Sequence, residues 1–426
     1  MRRFVATLSG ALLIVFSVGG GAEASPVPLL KVVSANPADF TPRVTANSAG
    51  GKVVVQKMTQ VGSTIFAGGG FTQVQDAART NTYDRTNLFS FNASTGAVNP
   101  LSVSMNGTVW ALASDGTSLY VGGTFTTVNG VARRGLVKMN ATTGVVDTSF
   151  NAQLNGNVYE AQVVSGRLII SGSFTKRLSA VNLLTGADTG YINLSITGDV
   201  DGPGGWVPRV YRFAVDPGST RLVAIGNFLT VNGVSHPRAF MVDLNPAAAA
   251  LSPWNYAPLE RSCAADSILD YLRDVDFSPD GAWFVIVSSG FVPRTELEIG
   301  TSLCDAAARF ETANLVPTVP TWINYTGGDT LQATTVTAAA VYVQGHNRWL
   351  DNPQGRDTCV GTCVPRPGIG AIDPNTGRAL SWNPTKDRNE GGKDLLVTAQ
   401  GLWVSSDTTR IGGEIHERVA LMPATP

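Results

Sequence analysis

Short apolar runs cut off by glycine, asparagine or aspartate fill the chain, and one of them recurs. Leu119-Tyr120-Val121-Gly122-Gly123-Thr124-Phe125 is preceded by Ile65-Phe66-Ala67-Gly68-Gly69-Gly70-Phe71. It is followed by Ile169-Ile170-Ser171-Gly172-Ser173-Phe174 and Val223-Ala224-Ile225-Gly226-Asn227-Phe228. The spacing is about fifty residues, the period of a repeat architecture. The second repeat reads most clearly. Val109–Ala113 forms strand a, Asp115-Gly116 a tight turn, Leu119–Gly122 strand b, and Leu136–Met139 strand c. Asn140–Gly144 then turns the chain into strand d, Val145–Phe150. Four antiparallel strands in one repeat make a blade of a β-propeller, which buries both its faces only when blades stack around an axis.

Strand b is found at Ile65–Gly69, Leu119–Gly123, Leu168–Gly172, Leu222–Gly226, Phe284–Gly290, Val341–Gly345 and Leu402–Ser406. The expected fold is therefore an all-β, seven-bladed β-propeller. After Val419-Ala420-Leu421-Met422 the last blade has no strand d. Asp39-Phe40-Thr41-Pro42-Arg43, followed by Ser48–Gly51, resembles Trp382–Thr385 followed by Glu390–Gly392. An N-terminal strand is thus expected to close the last blade and cover its edge. The c–d turn recurs as Asn92–Gly96, Asn140–Gly144, Asn182–Gly186 and Asp373–Gly377. Asn or Asp caps such a turn through its side chain, and Gly takes the left-handed position. Phe150, Trp254, Trp322 and Trp382 recur in strand d and read as packing between blades. Arg85, Arg133, Arg238 and Arg366, with His416 in the last blade, each precede that turn by the same interval. So regular a series reads as structural.

Composition narrows the class. The 426 residues include 46 Gly and 23 Pro, only 15% are charged, and the formal net charge is −1. A nucleic-acid partner is not expected, because its basic footprint is absent. Arg2 and Arg3, the apolar Ala11–Phe16 and the small residues Ala22 and Ala24 make residues 1–24 a signal peptide. General secretion is favoured over twin-Arg export. Residues 25–38 are a mature lead and 39–426 the propeller. After cleavage no span of the membrane is expected, and the product is a secreted monomer. Four Cys in an exported chain predict disulfides, paired Cys263–Cys304 and Cys359–Cys363, in preference to a metal site. Asp199-Val200-Asp201-Gly202 looks like the start of a Ca²⁺ loop but lacks its remaining ligands. No cofactor is expected, with Ca²⁺ the open alternative.

The a–b and c–d turns are short, whereas the b–c and d–a connections vary in length. Variable loops on a rigid scaffold carry function, which places the functional face on the b–c and d–a side. The densest polar cluster there contains His346, Arg348, Trp349, Asp351, Arg356 and Asp357, followed by Arg388, Asp407 and His416. These are the candidate ligand-binding residues. Arg suits carboxylates, Trp suits stacking, and carboxylates suit hydroxyls or Ca²⁺. Salt bridging between loops is the alternative reading of the same set.

The run Val121–Gly130, continuing to Asn140–Gly144 and Asp147–Phe150, resembles the delta-60 repeat of secreted bacterial β-propellers. Kelch repeats, whose strands also end in Gly-Gly, are the second resemblance. The delta-60 likeness implies a propeller and carries over no catalytic residue. The expected function is a binding module for an extracellular or cell-surface glycan or protein. The alternative is a polysaccharide-acting lyase or hydrolase using Asp351, Asp357, His346 and His416.

Overall fold

The computed structural model describes residues 29–47, 50–200, 207–264, 272–359 and 361–426. The expected signal peptide, residues 1–24, and half of the Asp199–Gly202 motif lie outside them. No α-helix occurs among the described residues, and none of them forms a helix able to cross a membrane.

Seven principal antiparallel sheets of three or four strands carry the described residues, with two smaller three-stranded sheets and three two-stranded ones in the loops. Sheet I holds Val54–Val61, Thr64–Gly70 and Leu88–Asn92; sheet II holds Val109–Ser114, Ser118–Gly123 and Leu136–Asn140. Sheet III holds Val158–Val164, Arg167–Gly172 and Leu178–Asn182. Sheet IV runs Val210–Val215, Arg221–Gly226, Ala239–Leu244 and Ala249–Leu251. Sheet V runs Leu272–Phe277, Trp283–Ser288, Ala306–Glu311 and Trp322–Tyr325. Sheet VI has Leu331–Val336, Val341–Gly345 and Ile369–Ile372; sheet VII has Gly392–Thr398, Gly401–Ser406 and Val419–Pro423. The first strand of each sheet packs on the first strand of the next, and Gly392–Thr398 packs on Val54–Val61. Small hairpins grow from the b–c loops, such as Thr127–Val128 with Val131–Ala132 and Arg410–Ile411 with Glu414–Ile415.

The turn chemistry follows the sequence. Asn140 Oδ1 accepts the N–H groups of Thr142 and Thr143 at 2.9 Å each, and Asp373 does the same for Asn375 and Thr376. The recurrent aromatics are core: Phe150 and Trp254 are fully buried, and Trp322 and Trp382 nearly so. Trp254 packs edge-on against Phe284 and Phe310 at 5.6 and 5.9 Å.

Strand d departs from expectation. It is regular only in sheets IV and V; in sheets I, II, III and VI it shrinks to one bridge, as in Met139↔Val146. In sheet II the cause is local. Asp147 Oδ1 takes the Ser149 N–H and hydroxyl, which diverts the chain from the ladder. The expected N-terminal strand also differs. Among the described residues no regular strand from the N-terminus joins sheet VII, and Arg43–Ala46 pairs instead with Gln73–Gln75. Pro37 and Pro42 lack the N–H groups a ladder needs. Separate backbone bonds remain: Ser34 N–H to Pro423 O at 2.8 Å and Ala38 N–H to Leu421 O at 2.9 Å. The second recurs through the molecule. Asn99 to Ser90, Asp147 to Lys138, Thr189 to Ala180, Ser252 to Met241, Thr321 to Arg309 and Leu380 to Ala371 are its counterparts in sheets I to VI.

The arginine series is structural, with one correction. Arg85 and Arg133 donate to the Asn99 and Thr148 carbonyls at 3.1 Å, and Arg366 reaches Leu380 O. Each thereby ties the b–c loop to the fourth segment of its own sheet. In sheet IV the equivalent position is His236, whose N–H bonds Leu229 O as the Arg133 N–H bonds Thr126 O. Arg238 is instead the residue at φ 66° through which the loop re-enters the sheet. Replacing Trp254 by Ala is expected to cost about 3–5 kcal/mol, read as a lowered urea midpoint; an unchanged midpoint would show that the Trp254 cluster does not anchor sheets IV and V.

Candidate functional site

Every first strand carries a β-bulge at the same place. The extra residue is Gln56, Trp110, Tyr159, Tyr211, Arg273, Gln332 or Lys393 in sheets I to VII. A bulge adds one residue to one strand and re-aims its side chain. All seven side chains line a single cavity of about 650 Å³ where the starts of the first strands meet. The bulge also explains the Gly-rich strand b. A Cβ on Gly69, Gly123, Gly172, Gly226 or Gly345 would fall 1.9–2.2 Å from a carbonyl oxygen two residues before the bulge. Only glycine admits so close a backbone approach.

The lining is two-sided. Trp110 stands edge-on to Tyr159 at 6.0 Å, and Tyr159 lies 6.1 Å from Tyr211, so three aromatics from sheets II, III and IV form an arc. Arg209, Arg212, Arg273 and Lys393 stand on the remaining wall with Glu390 and His346. Glu390 pairs with Lys52 and, at 3.6 Å, with Lys393. Burial lowers the Lys393 pKa to about 8, with Arg273, Lys52 and Arg212 adding to the fall against Asp407.

The next residues inward form a charged layer. Lys57 bridges Glu160 and Asp394 at 3.2 Å each, and Arg212 meets Glu160 at 3.6 Å. Burial opposes the Lys57 charge, but Asp394 and Glu160 outweigh it and raise its pKa. Asp274 is pushed up to about 7 and Asp276 to about 6, in both cases by burial. Below this layer lies a second cavity of about 610 Å³ lined by Glu160, Asp274, Asp276 and Asp394.

The residues singled out from the sequence sit mostly in a loop network beside the first cavity. Asp329 holds Arg348 at 2.7 Å and Arg388 at 2.9 Å. Arg348 also meets Asp357 at 2.6 Å and stacks 4.2 Å over Trp349. Arg356 pairs with Glu296 at 2.9 Å. Asp351 accepts the Ala379 N–H, and Asp407 accepts the N–H groups of Glu390 and Gly391. His416 bonds Thr41 at 3.0 Å and Glu414 at 3.3 Å. His346 is the member that lines the cavity, its Nδ1 bonded to Asn389 O and its own carbonyl held by Arg388. Asp305, buried beside Asp329, has its pKa raised by burial first and by that neighbouring carboxylate second. Among the described residues no three His, Cys, Asp or Glu side chains converge on a metal site. Both disulfides form as paired from the sequence, Cys263–Cys304 and Cys359–Cys363.

Sequence reasoning missed the bulge residues. Their signal is a column: aligned on strand a, the repeats read Val-Gln, Val-Trp, Val-Tyr, Val-Tyr, Leu-Arg, Leu-Gln and Gly-Lys. The second place of that column is never aliphatic.

Residues 114–150 match a family described as a β-propeller domain of unknown function, DUF5122. Among solved structures, hydrazine synthase of Kuenenia stuttgartiensis is similar, with 13% identity and a TM-score of 0.46 over 85% of this chain and 96% of that one. The WD40 β-propeller domain of Doa1 is similar at 10% identity and a TM-score of 0.46, over 90% of this chain and 96% of that one. No curated protein matches the sequence. A β-propeller is what the family match and the sheet architecture support, and propellers serve broadly as binding modules.

The buried charges set a pH profile. Folded Asp274 and Asp276 keep protons that the unfolded chain has released above its pKa of 3.8, so their contribution to stability falls as pH rises from about 4 to 7. Burial lowers the Lys386 pKa from 10.5 to about 7 and that of Lys393 to about 8, so stability from these groups rises again between about 7 and 10.5. A pH series of thermal midpoints is expected to dip near neutrality. Asp274→Asn should flatten the acid limb; an unchanged limb would place the titration elsewhere.

Proposed function

We propose that this chain is an extracellular binding module whose ligand site is the cavity ringed by the seven bulge residues. The observation that carries the reading is the delivery of seven non-aliphatic side chains, one per sheet, to one cavity of small-ligand size. The loop network of Arg348, Trp349, Asp357 and Arg388 forms its support, with His346 shared between the two. The ligand is an extracellular glycan or protein segment. Two disulfides suit an oxidising compartment and support export.

The sheets act in this reading as seven blades of one ring, completed by residues 34–44. Support comes from the Ala38–Leu421 bond, the seventh member of its series, and from His416, which reaches Thr41 as Arg366 reaches Leu380. The enzymatic alternative has thinner support. Asp351, Asp357 and His416 each hold a different partner, and none of those partners is another of the proposed acid–base groups.

Thermal unfolding of the chain from Ser25 against a panel of cell-wall and plant glycans tests the site. A ligand that binds the folded state raises the midpoint by mass action. Trp110→Ala is expected to weaken binding about tenfold or more, with little change in the unliganded midpoint. A hit whose affinity ignores Trp110 and Tyr211 would remove the cavity from the reading. Cleavage of the hit would favour the enzyme. Starting the chain at residue 43 instead of 32 should lower the midpoint markedly; equal midpoints would contradict closure of the ring by residues 34–44.

A further inference from the structure

The cavity wall holds two kinds of polar group, and only one kind is at a ligand's disposal. The charged members are already engaged. Arg212 donates to Tyr159 O at 2.6 Å and meets Glu160 at 3.6 Å. Arg273 donates to the Ser289 hydroxyl at 2.8 Å, and its charge also acts on the buried Asp305 carboxyl. Arg209 has a partner as well. Lys393 pairs with Glu390 at 3.6 Å and is attracted by Asp407, while Lys52 takes the other Glu390 oxygen. His346 spends Nδ1 on Asn389 O. A ligand anion would compete with Glu390, Glu160 and Asp305 for these cations, and a ligand cation with Lys52 and Lys393 for Glu390. Either charge would lose its water without gaining a free counter-charge.

The neutral groups differ. Gln56 lines the cavity and is only 6% exposed, yet its Oε1 accepts no hydrogen bond among the described residues. Trp110 Nε1, at the bulge of the adjoining sheet, donates none. Buried polar atoms normally find a partner, so an unused acceptor and an unused donor on one wall point to a guest that both donates and accepts. Gln332, from the bulge of sheet VI, adds a second amide of the same dual character. Beside these amides the rings of Trp110, Tyr159 and Tyr211 form the apolar arc.

We propose that the cavity binds an uncharged saccharide, with one sugar ring against the Trp110–Tyr159–Tyr211 arc and its hydroxyls toward the Gln56 and Gln332 amides. The proposal rests on the reading of this cavity as the ligand site and adds the ligand's class. A sugar ring joins the two properties the wall asks for: C–H groups on its faces pack on aromatic rings, and hydroxyls at its edge donate and accept. A purely apolar guest would leave Gln56 Oε1 unmatched. The volume of about 650 Å³ suits a short saccharide or the end of a chain, since a folded partner cannot enter it.

The test titrates the chain from Ser25 with cellobiose, xylobiose, mannobiose, galactobiose and N,N′-diacetylchitobiose, following tryptophan fluorescence and heat. Cellobiuronic acid, digalacturonic acid and deacetylated chitobiose are the charged counterparts. A neutral disaccharide is expected to bind about tenfold tighter than its charged counterpart, with an affinity that stays the same from low to high salt. Trp110→Ala and Gln56→Leu should each weaken it about tenfold. Gln332→Leu provides a second amide variant if Gln56→Leu does not fold. A charged counterpart that binds as tightly, and is lost in Trp110→Ala, would overturn the neutral preference and leave the cavity as the ligand site. Neutral binding that needs Trp110 but ignores both amides would overturn the hydroxyl contacts. Neutral binding that ignores Trp110 and both amides would overturn the site and the inference together. No binding of any neutral disaccharide would overturn the inference, and the site would then stand or fall on another panel hit tested against Trp110→Ala.

Discussion

One backbone constraint governs the rest. Each first strand admits an extra residue, and in five of the seven sheets the neighbouring strand lets a carbonyl oxygen approach to a distance that no side chain tolerates, while Ser288 and Ser406 hold that place in sheets V and VII. Gly69, Gly123, Gly172, Gly226 and Gly345 meet that demand. The recurrent Gly motif and the cavity lining are therefore two faces of one device. The bulge lifts one residue per strand out of the alternation of inward and outward side chains. It leaves the remainder of the strand in register, so apolar partners such as Val109, Val158 and Val210 stay fully buried. The scaffold thus supplies seven variable positions without disturbing its core.

The charged layer beneath the bulges plays a different part. Where the first strands converge, Lys57, Glu160, Arg212 and Asp394 fill the centre with paired charges instead of aliphatic side chains. Burying unpaired charge is costly, and these groups answer by pairing or by holding a proton. Asp274 takes the second course below a pH of about 7 and Asp276 below about 6. The layer also separates the two cavities. Arg212 links them, lining the upper cavity while it pairs with Glu160 of the lower one.

Much of the fold was legible because it is local. Asn140 and Asp373 cap their turns within three residues, and Leu119–Gly123 announces its strand by composition alone. The disulfide pairs were legible from their spacing and from the expectation of export. The bulge residues were not, because a bulge breaks the period of two on which strand reading relies, and Trp110 or Tyr159 then passes for an ordinary outward residue. The loop cluster drew notice by density of charge. Density alone does not distinguish Arg348, held by Asp329 and Asp357, from Lys393, which faces a cavity. His236 was obscured by a two-residue offset that made Arg238 look like a member of the arginine series.

The bonds from Ser34 and Ala38 to Pro423 and Leu421 join segments that lie far apart in the sequence. Contacts so distant in sequence are slow to form, because the loop they close is long. While the chain is being made, Ser34 and Ala38 wait without these partners until Val419–Pro423 emerges, and a chain cut short anywhere before Val419 lacks the strand that receives them.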